Sequence, residues 1–208
     1  ATLTEESLDS RSVEGLKSVR SWYFEAYYLK SALIRSLSFL QGQVSYFKDQ
    51  STTDPLTGVT NRRTMDATLS EWEKNQLMHS IILLDLDHFK SVNDTYGHAV
   101  GDKVLQYLAK KMKAVAREND ICCRYGGEEF IILLPNTTVE EAAIVAENLR
   151  QQLANSNSPC GRPVTLSAGV AEYPKMASTT EALIEAADGA LYLAKQAGRN
   201  QVKTAGEK

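Results

Sequence analysis

The first quarter of the chain carries hydrophobic residues at a seven-residue period over residues 16–47. With Leu16 at heptad position a, nine of the ten a and d positions are apolar or aromatic, and the exception is Lys30. Such a seam favours a coiled coil, and a charged residue at position a lowers stability but selects a two-stranded register. The pattern predicts a parallel dimeric stalk about 48 Å long. The seam consists of Leu16, Val19, Tyr23, Ala26, Lys30, Leu33, Leu37, Leu40, Val44 and Phe47.

Further apolar residues lie outside this seam, at Trp22, Tyr27, Leu29 and Ile34. A wider apolar stripe is also typical of a helix packed on its own globular domain, and of a helical bundle. Both alternatives stay open beside the stalk.

A second domain is predicted to begin near residues 51–55, because Pro55 disfavours helix at the residue before it. The predicted domains are therefore a helical stalk, residues 1–50, and a globular domain, residues 51–208. Strand and helix patterns alternate through the second domain. Helices are predicted near 61–74, 89–94, 99–116, 138–154 and 179–197, and strands near 80–86, in a hairpin over 121–134, near 164–171 and at the carboxyl end.

The hairpin decides the fold class. Two strands joined by the tight turn at Gly126 and Gly127 run antiparallel, so an all-parallel doubly wound sheet is excluded. We predict an α+β fold with a mainly antiparallel five-stranded sheet flanked by helices and preceded by a long amino-terminal helix.

Composition excludes several classes of function. The 208 residues carry a net charge of −3 without a long block of like charges, so nucleic acid is not an expected partner. The sequence contains neither a long apolar run nor a signal-peptide pattern, so we expect no membrane segment in the chain and a cytoplasmic location. The odd cysteine count without metal-ligand spacing predicts reduced, packed thiols at Cys122, Cys123 and Cys160.

The first candidate for chemistry is the run RYGGEEFIILLP, residues 124–135. Gly126 and Gly127 allow left-handed backbone and remove side-chain bulk, so a large ligand can approach there. Glu128 and Glu129 then lie at the mouth of an open space.

A second acidic segment, IILLDLDHFK, runs straight from apolar residues into Asp85 and Asp87, which alternate with Leu86 and so share one side of a strand end. If the hairpin strand beginning at Glu128 lies beside this strand, several carboxylates converge at high electrostatic cost. A divalent metal would relieve that cost, and carboxylates with the Leu86 carbonyl suit Mg²⁺. Alternatively the aspartates, Asp87 above all, cap the next helix.

Cationic side chains near such a centre predict a polyphosphate ligand. The candidates are Lys90, Lys195 and Arg199, with helix amino-terminal N–H groups near Phe89. Considered alone, Lys195 and Arg199 are equally explained by the preference for cations at a helix carboxyl end.

The segment NDTYGHAVGD, residues 93–102, offers groups that match guanine. A carboxylate such as Asp102 accepts from N1–H and N2–H₂, and an amide such as Asn93 pairs with O6 or N7. Turn formation explains the same residue types. We expect His98 to orient this loop rather than to bind metal, because it lacks a second histidine or cysteine at ligand spacing.

Taken together, these residues resemble the diguanylate cyclase family of GGDEF-domain proteins, whose signature reads GGEEF here. The resemblance covers about residues 51–205 and five motifs in order. Val59 and Thr60 depart from the leucine and proline that are frequent in the family, at an expected turn. The motifs are DPLTGVTNRR at 54–63, LDLDHFK at 84–90, NDTYGHAVGD at 93–102, RYGGEEF at 124–130 and YLAKQAGRNQV at 192–202.

The resemblance implies a cyclase-like fold and the condensation of two GTP into cyclic di-GMP with release of two pyrophosphates. It implies Mg²⁺, with Mn²⁺ as an alternative, held by Asp85, the Leu86 carbonyl and one or both of Glu128 and Glu129. Which glutamate helps to deprotonate the 3′-hydroxyl stays open. The implied substrate-binding and catalytic set also includes Phe89, Lys90, Asn93, His98, Asp102, Gly126, Gly127, Lys195 and Arg199.

The resemblance further implies a homodimer, because each domain binds one GTP and the reaction needs two. The RxxD set at Arg117 and Asp120, five residues before the double glycine, is similar to the family's site for inhibition by cyclic di-GMP. Asn148 stands where a second arginine often joins that site, and Arg150 lies two residues on.

Two other classes compete with this interpretation. A non-catalytic receptor for GTP or cyclic di-GMP is favoured when the carboxylates or glycines are missing, and here they are present. A structural coiled-coil adaptor leaves the five motifs unexplained. ATP as substrate is disfavoured, since adenine N1 offers Asp102 no donor.

Overall fold

The computed structural model describes residues 23–24, 26–37 and 51–206. The chain divides into two units, Ala1–Ser51 and Thr52–Lys208, which we describe separately.

In the first unit, residues 23–24 and 26–37 are helical and form helix α1. The seam positions described within it, among them Tyr23, Lys30, Leu33 and Leu37, are all exposed. The remaining positions of the predicted heptads lie outside the described residues. Among the residues that are described, no helix is long and apolar enough to cross a membrane.

The second unit is built on a six-stranded sheet in the order β1-β3-β4-β2-β5-β6. Strand β2 lies antiparallel to both β4 and β5, and β3 lies antiparallel to β4, whereas the pairs β1–β3 and β5–β6 are parallel. The α+β class is confirmed. The strands are β1 (Thr60–Asn61), β2 (His79–Leu86), β3 (Ile121–Gly126), β4 (Glu129–Pro135), β5 (Leu166–Tyr173) and β6 (Val202–Thr204).

The prediction of five strands was wrong, because the structure adds β1. This strand has only two residues, too few to show a period of two, and it exists through its pairing with Cys123 and Arg124 of β3. Thr60, expected in a turn, therefore lies in a strand.

Five helices of the second unit flank the sheet, and side-chain caps mark where three of them begin. Asn61 accepts a hydrogen bond from the Thr64 N–H at the start of α2, and Thr138 and Glu141 form a capping box at the start of α5. Thr179 caps α6. The helices are α2 (Arg62–Lys74), α3 (Phe89–Tyr96), α4 (His98–Val115), α5 (Val139–Ala154) and α6 (Thr180–Gln196).

Apolar residues cover both faces of the central strands. On one face, Leu84 and Phe130 pack with residues of α3, α4 and α5. On the other, Leu83 and Ile131 pack with residues of α2 and α6. Because successive residues of a strand point to opposite faces, every position of β2 and β5 is buried. The two central strands are therefore held rigidly where they end, and β2 ends at the acidic residues.

The three cysteines are buried free thiols, as predicted. Burial raises the pKa of Cys122 and Cys123 to about 12. Neither thiol is therefore an activated nucleophile.

His79 is a buried titratable group at the opposite end of β2 from Asp85. Its ring lies between Trp72 and Tyr173, and Nδ1 donates to the Leu77 carbonyl at 2.8 Å. Within the described part of the chain, Nε2 is a buried nitrogen without a hydrogen-bond partner. Burial lowers the pKa of His79, since a proton on Nε2 would place an unpaired charge among aromatic rings.

We expect this histidine to make stability fall with acidification. The unfolded chain binds the proton more readily than the folded one, so the stabilisation is complete above the ordinary histidine pKa of 6.5. It is lost as pH falls from there toward the lowered pKa of the folded state, with a slope of at most about 1.4 kcal/mol per pH unit.

Urea unfolding between pH 7.5 and 5.5 measures the slope. His79→Asn, which keeps an N–H near the Nδ1 position, should reduce the slope even though it lowers stability at every pH. His88→Asn, at an exposed position with a left-handed φ of 56°, is the control and should leave the slope unchanged. An equal slope in wild type and His79→Asn would contradict the prediction.

Candidate functional site

The carboxylates of the two acidic segments meet where β2 and β4 pair. Asp85 and Glu129 are direct partners in the antiparallel register. Asp85 lies two residues after Leu83 and Glu129 two residues before Ile131, so both carboxylates share the face covered by α2 and α6. Asp85 is buried, and Lys195 Nζ of α6 lies 3.1 Å from its Oδ2.

The glycine turn brings a third carboxylate to this edge. Gly126 pairs with Glu129, so Glu128 lies in the two-residue turn and not at the start of the strand, which corrects the sequence-based expectation. Gly127 has a φ of 47°, a conformation that favours glycine. A Cβ on either glycine would meet nothing within 4 Å, so the space beside the turn is open for a ligand.

Neighbouring carboxylates contribute to the raised pKa values of Asp85 and Glu128. Burial raises the pKa of Asp85, and Asp87 adds to that effect while Lys195 and Arg199 oppose it. Burial and the neighbouring charges of Asp85 and Glu129 raise the pKa of Glu128. A concentration of negative charge in a partly desolvated place is stabilised by bound cations.

The donor chemistry of this edge suits Mg²⁺. In the described part of the chain, no group of three or more His, Cys, Asp or Glu side chains stands ready to hold a metal. Mg²⁺ commonly takes only one or two carboxylates from the protein and completes its shell with water and substrate phosphates. Asp85 and Glu128, with the carbonyl of Leu86 at the end of β2, fit that demand.

Asp87 does not cap the helix that follows it. The residue before α3 is His88, and it makes no side-chain capping bond, so the first N–H groups of α3 lack this partner. Asp87 instead accepts from the hydroxyls of Thr165 and Ser167, each at 2.7 Å, and from the backbone N–H of Asn200 at 3.0 Å. It links the end of β2 to β5 and to the loop after α6.

Sequence reasoning missed the role of Arg124 in shaping the glycine turn. Its Nε and Nη2 donate to the Gly127 carbonyl at 3.0 and 2.8 Å, and its Nη1 lies 3.3 Å from Asp54 Oδ1. Burial would raise the pKa of Asp54, but hydrogen bonds from Thr57 and the Arg124 guanidinium hold it low. Arg124 stands two residues before the double glycine, but neither this spacing nor that of Asp54, 70 residues away in sequence, indicates the contact.

The expected guanine readers lie on α3 and at the start of α4. Asn93 is half-buried, and a Cβ added to Gly101 would lie only 1.9 Å from its Oδ1, so Gly101 makes room for the amide. Asp102 is exposed beside Gly101, and His98 is exposed as the first residue of α4. Phe89, at the start of α3, is buried, and a Cβ on Gly101 would also meet its ring.

The three predicted phosphate-binding cations occupy two places. Lys90 is exposed on the first turn of α3. Lys195 lies in the last turn of α6 against Asp85, and Arg199 is exposed in the loop after α6, where its charge acts on Asp85. Lys195 and Arg199 therefore belong to the carboxylate site and do more than complement a helix dipole.

Arg117 and Asp120 form a tight turn after α4. Asp120 Oδ2 accepts from the backbone N–H of Arg117 at 2.7 Å, and the Arg117 side chain is exposed. Both residues line a cavity of about 310 Å³ together with Lys113 and the loop around Gly58. The turn thus holds a carboxylate and a guanidinium at a concave surface.

This fold and this site define a cyclase-like α+β domain in which an acidic edge of the sheet is flanked by cationic side chains. Residues 51–201 match the family model described as "Diguanylate cyclase, GGDEF domain". The chain therefore belongs to the GGDEF domain family.

Proteins of known sequence and structure agree with this assignment. The response regulator PleD of Caulobacter vibrioides is 37% identical over 177 residues, which cover 81% of this chain and 39% of PleD. Diguanylate cyclase A of Treponema denticola is 44% identical over 136 residues, 64% of this chain and 36% of that protein. The chain thus spans well under half the length of either relative.

Solved structures of the family have the same fold as this chain. The coiled coil and GGDEF domain of DgcB from Caulobacter crescentus, in complex with c-di-GMP, matches with a TM-score of 0.68 and 32% identity over 88% of this chain and 99% of that one. The active GGEEF domain of a diguanylate cyclase from Vibrio cholerae matches with a TM-score of 0.66 and 36% identity over 71% of this chain and 98% of that one.

Proposed function

We propose that this protein is a diguanylate cyclase, which condenses two molecules of GTP into cyclic di-GMP and releases two pyrophosphates. The observation that carries the proposal is the in-register pair of Asp85 and Glu129, with Glu128 in the adjoining turn and Lys195 against the pair. The names of the relatives and the c-di-GMP complex of DgcB support it.

The metal of this site is proposed to be Mg²⁺, or Mn²⁺ in its place. Asp85, the Leu86 carbonyl and one or both of Glu128 and Glu129 would hold it. When bound, the metal supplies positive charge to the phosphate oxygens during transfer. Burial and mutual repulsion of Asp85 and Glu128 support this assignment, because each favours a state in which a cation neutralises them.

The triphosphate is proposed to lie across the amino end of α3 and the exit of α6. Uncapped N–H groups at the start of α3, together with Lys90, Lys195 and Arg199, would bind its oxygens. The 3′-hydroxyl of each GTP attacks the α-phosphorus of the other, and at each of these phosphorus atoms the bond to the leaving pyrophosphate breaks. Glu128 or Glu129 would accept the hydroxyl proton.

The base is proposed to be guanine, bound by Asn93 and Asp102 with His98 orienting the loop. This assignment makes Gly101 a specificity-supporting position, because a Cβ there would displace the Asn93 amide. Gly101→Ala should raise the KM for GTP about tenfold, the order expected for one lost hydrogen-bonding group. The free energy of unfolding should change by less than about 1 kcal/mol, because the helix preference of alanine over glycine opposes the contact of the added Cβ with the Phe89 ring.

Steady-state kinetics and thermal unfolding of Gly101→Ala test this prediction. The matched control is Gly189→Ala, another glycine within a helix, where a Cβ would meet nothing within 4 Å. An unchanged KM in Gly101→Ala would contradict the role of Asn93.

Catalysis is proposed to occur in a homodimer, since one domain offers one such site and the reaction joins two nucleotides. The exposed apolar side chains of α1, including Tyr23, Leu33 and Leu37, support pairing of two stalks. The stalk would raise the effective concentration of the two half-sites. A truncated chain, residues 51–208, that matched the full chain in rate at low concentration would contradict this proposal.

The turn of Arg117 and Asp120 is proposed to bind the product and inhibit the enzyme. Its carboxylate, guanidinium and the adjoining 310 Å³ cavity support this proposal. On α5, Arg150 does not stand free to join, because it binds Glu147 and Asn200. We therefore propose weaker inhibition than a two-arginine site would give, and Arg117→Ala should abolish it.

Incubation of the full chain with GTP and Mg²⁺, with mass detection of the product, tests the proposed function. The expected products are cyclic di-GMP and two equivalents of pyrophosphate, and titration with added cyclic di-GMP measures inhibition. GTP binding without product at high protein concentration would overturn catalysis and favour the receptor alternative.

A further inference from the structure

The loop that follows α6 has an unusual backbone. Arg199 and Asn200 are consecutive residues with positive φ, 66° and 47°, and neither is glycine. Residues with a Cβ pay free energy for this conformation, so it persists only where surrounding contacts impose it. The contacts that impose it here come from three different elements.

Asn200 is held at both its backbone and its side chain. Its N–H donates to Asp87 Oδ2 at 3.0 Å, and its Oδ1 accepts from Arg150 Nη1 at 2.7 Å. Gln201 Nε2 adds a bond to the Arg199 carbonyl at 3.2 Å and another to the Ala194 carbonyl at 3.1 Å. The loop is thus tied to the end of β2, to α5 and back to α6.

Asp87 and Arg150, the two side chains that bind Asn200, form what we call the clamp. Both are themselves fixed by other contacts. Asp87 is buried and accepts the hydroxyl protons of Thr165 and Ser167. Arg150 presents Nε and Nη2 to the carboxylate of Glu147 at 2.7 and 2.6 Å, which fixes the plane of its guanidinium and leaves Nη1 for Asn200. Because of these contacts, neither Asp87 nor Arg150 can change position without breaking its own hydrogen bonds.

This arrangement restricts the orientation of Arg199. It is exposed, and it directly precedes the clamped Asn200. Its neighbour Asn200 binds Asp87, which stands two residues after Asp85, so Arg199 lies beside the carboxylate end of β2. Its charge opposes the burial that raises the pKa of Asp85. A long side chain in an unclamped loop would lose much of this orientation to conformational entropy.

We propose that Asp87 and Arg150 are positioning residues, which hold residues 198–201 through Asn200 so that Arg199 faces the carboxylate site and the phosphates bound there. The identity of the phosphate ligand rests on the proposed function. Arg150, which lies on α5, would thereby affect phosphate binding at the carboxylate site without contacting the substrate.

The test uses the full chain with two variants that remove the Arg150–Asn200 hydrogen bond from its two ends. Arg150→Met keeps the aliphatic stem and removes the guanidinium. Asn200→Gly keeps access to positive φ and the backbone N–H that binds Asp87, and removes the side chain that supplies the Oδ1 acceptor. Each is made alone and together with Arg199→Ala. The control is Gln151→Ala, which removes another hydrogen bond to Glu147 but leaves Asn200 untouched.

Hydrogen exchange and steady-state kinetics are measured for each variant. Hydrogen exchange of the peptide covering residues 197–201 should quicken about tenfold in Arg150→Met and Asn200→Gly and stay unchanged in Gln151→Ala. The KM for GTP should rise about fivefold with kcat within about twofold. In the Arg199→Ala background the rise should vanish, because the clamp acts through Arg199 alone.

The outcomes separate the clamp from the proposed activity. Unchanged exchange in Arg150→Met and Asn200→Gly overturns the clamp, whatever the kinetics show. Faster exchange with unchanged KM, or an equal rise in KM with and without Arg199, overturns the positioning role. If the wild type forms no product, the proposed function fails, and calorimetric dissociation constants for GTP replace KM in the same comparison.

Discussion

Replacement of Asp85 by asparagine is expected to abolish cyclic di-GMP formation while leaving the domain folded. Asparagine preserves shape and removes the charge that faces Lys195 and shares the edge with Glu128. Loss of a proposed metal ligand should lower kcat/KM at least about 10³-fold, because transfer depends on preorganised charge.

The same replacement should change stability by no more than about 1 kcal/mol. The ion pair to Lys195 is lost, but that side chain is about one-third exposed, at 32%. Against this loss, removal of the Asp85 charge relieves repulsion with Glu128 and Asp87. Product formation by mass detection and thermal unfolding together measure both expectations.

Asp188→Asn is the matched control for Asp85→Asn. Asp188 is an exposed carboxylate on α6, and it lines a 560 Å³ groove on the same side of the sheet as Glu129. This variant should retain full activity. Substantial cyclic di-GMP from Asp85→Asn, above about one-tenth of the wild-type rate, would contradict the proposed metal site.

Gly169→Ala is expected to cause the largest loss of stability. Gly169 lies in the middle of β5, where the backbone of α6 crosses it closely. An added Cβ would lie 2.0 Å from the Ala187 carbonyl oxygen and 2.4 Å from the Leu191 backbone nitrogen. Both are backbone atoms of a helix packed on the sheet, so no side chain can turn aside to relieve the clash.

The free energy of unfolding should therefore fall by about 3 kcal/mol or more, and the melting temperature by about 10 °C. Since α6 also carries Lys195 toward Asp85, the surviving folded protein should lose activity as well. Gly189 lies in α6 itself, and a Cβ added there would meet nothing within 4 Å. Gly189→Ala should therefore raise the free energy of unfolding by up to about 1 kcal/mol. Equal melting temperatures for the two alanine variants would contradict the close-approach argument.

The amino-acid sequence predicted most helices and strands because their periodicity is local. The helix expected near 179–197 is Thr180–Gln196, and the strand expected near 80–86 is His79–Leu86. Strand β1 was not predicted because two residues are too few to show the alternation of apolar and polar positions. They form a strand only through their pairing with β3. The heptads predict a stalk, and most of them lie outside the described residues.

The candidate site was predictable to the extent that its residues sit beside local signals. Asp85 ends an apolar run and Glu128 follows a double glycine, so their acidic character and open surroundings were visible in the sequence. Their neighbours were not. Arg124 on the Gly127 carbonyl, and Asp87 on Asn200, join residues whose sequence spacing shows no pattern.

For this protein the sequence by itself determined the family, the order of elements and the residue types at the acidic edge, since each depends on short motifs and local periodicity. Only the tertiary structure decided that Asp85 stands opposite Glu129, that Asp87 leaves the helix uncapped and that Asn200 is clamped between Asp87 and Arg150. Such contacts depend on strand register and helix packing, which are set by the whole core and not by neighbours along the chain.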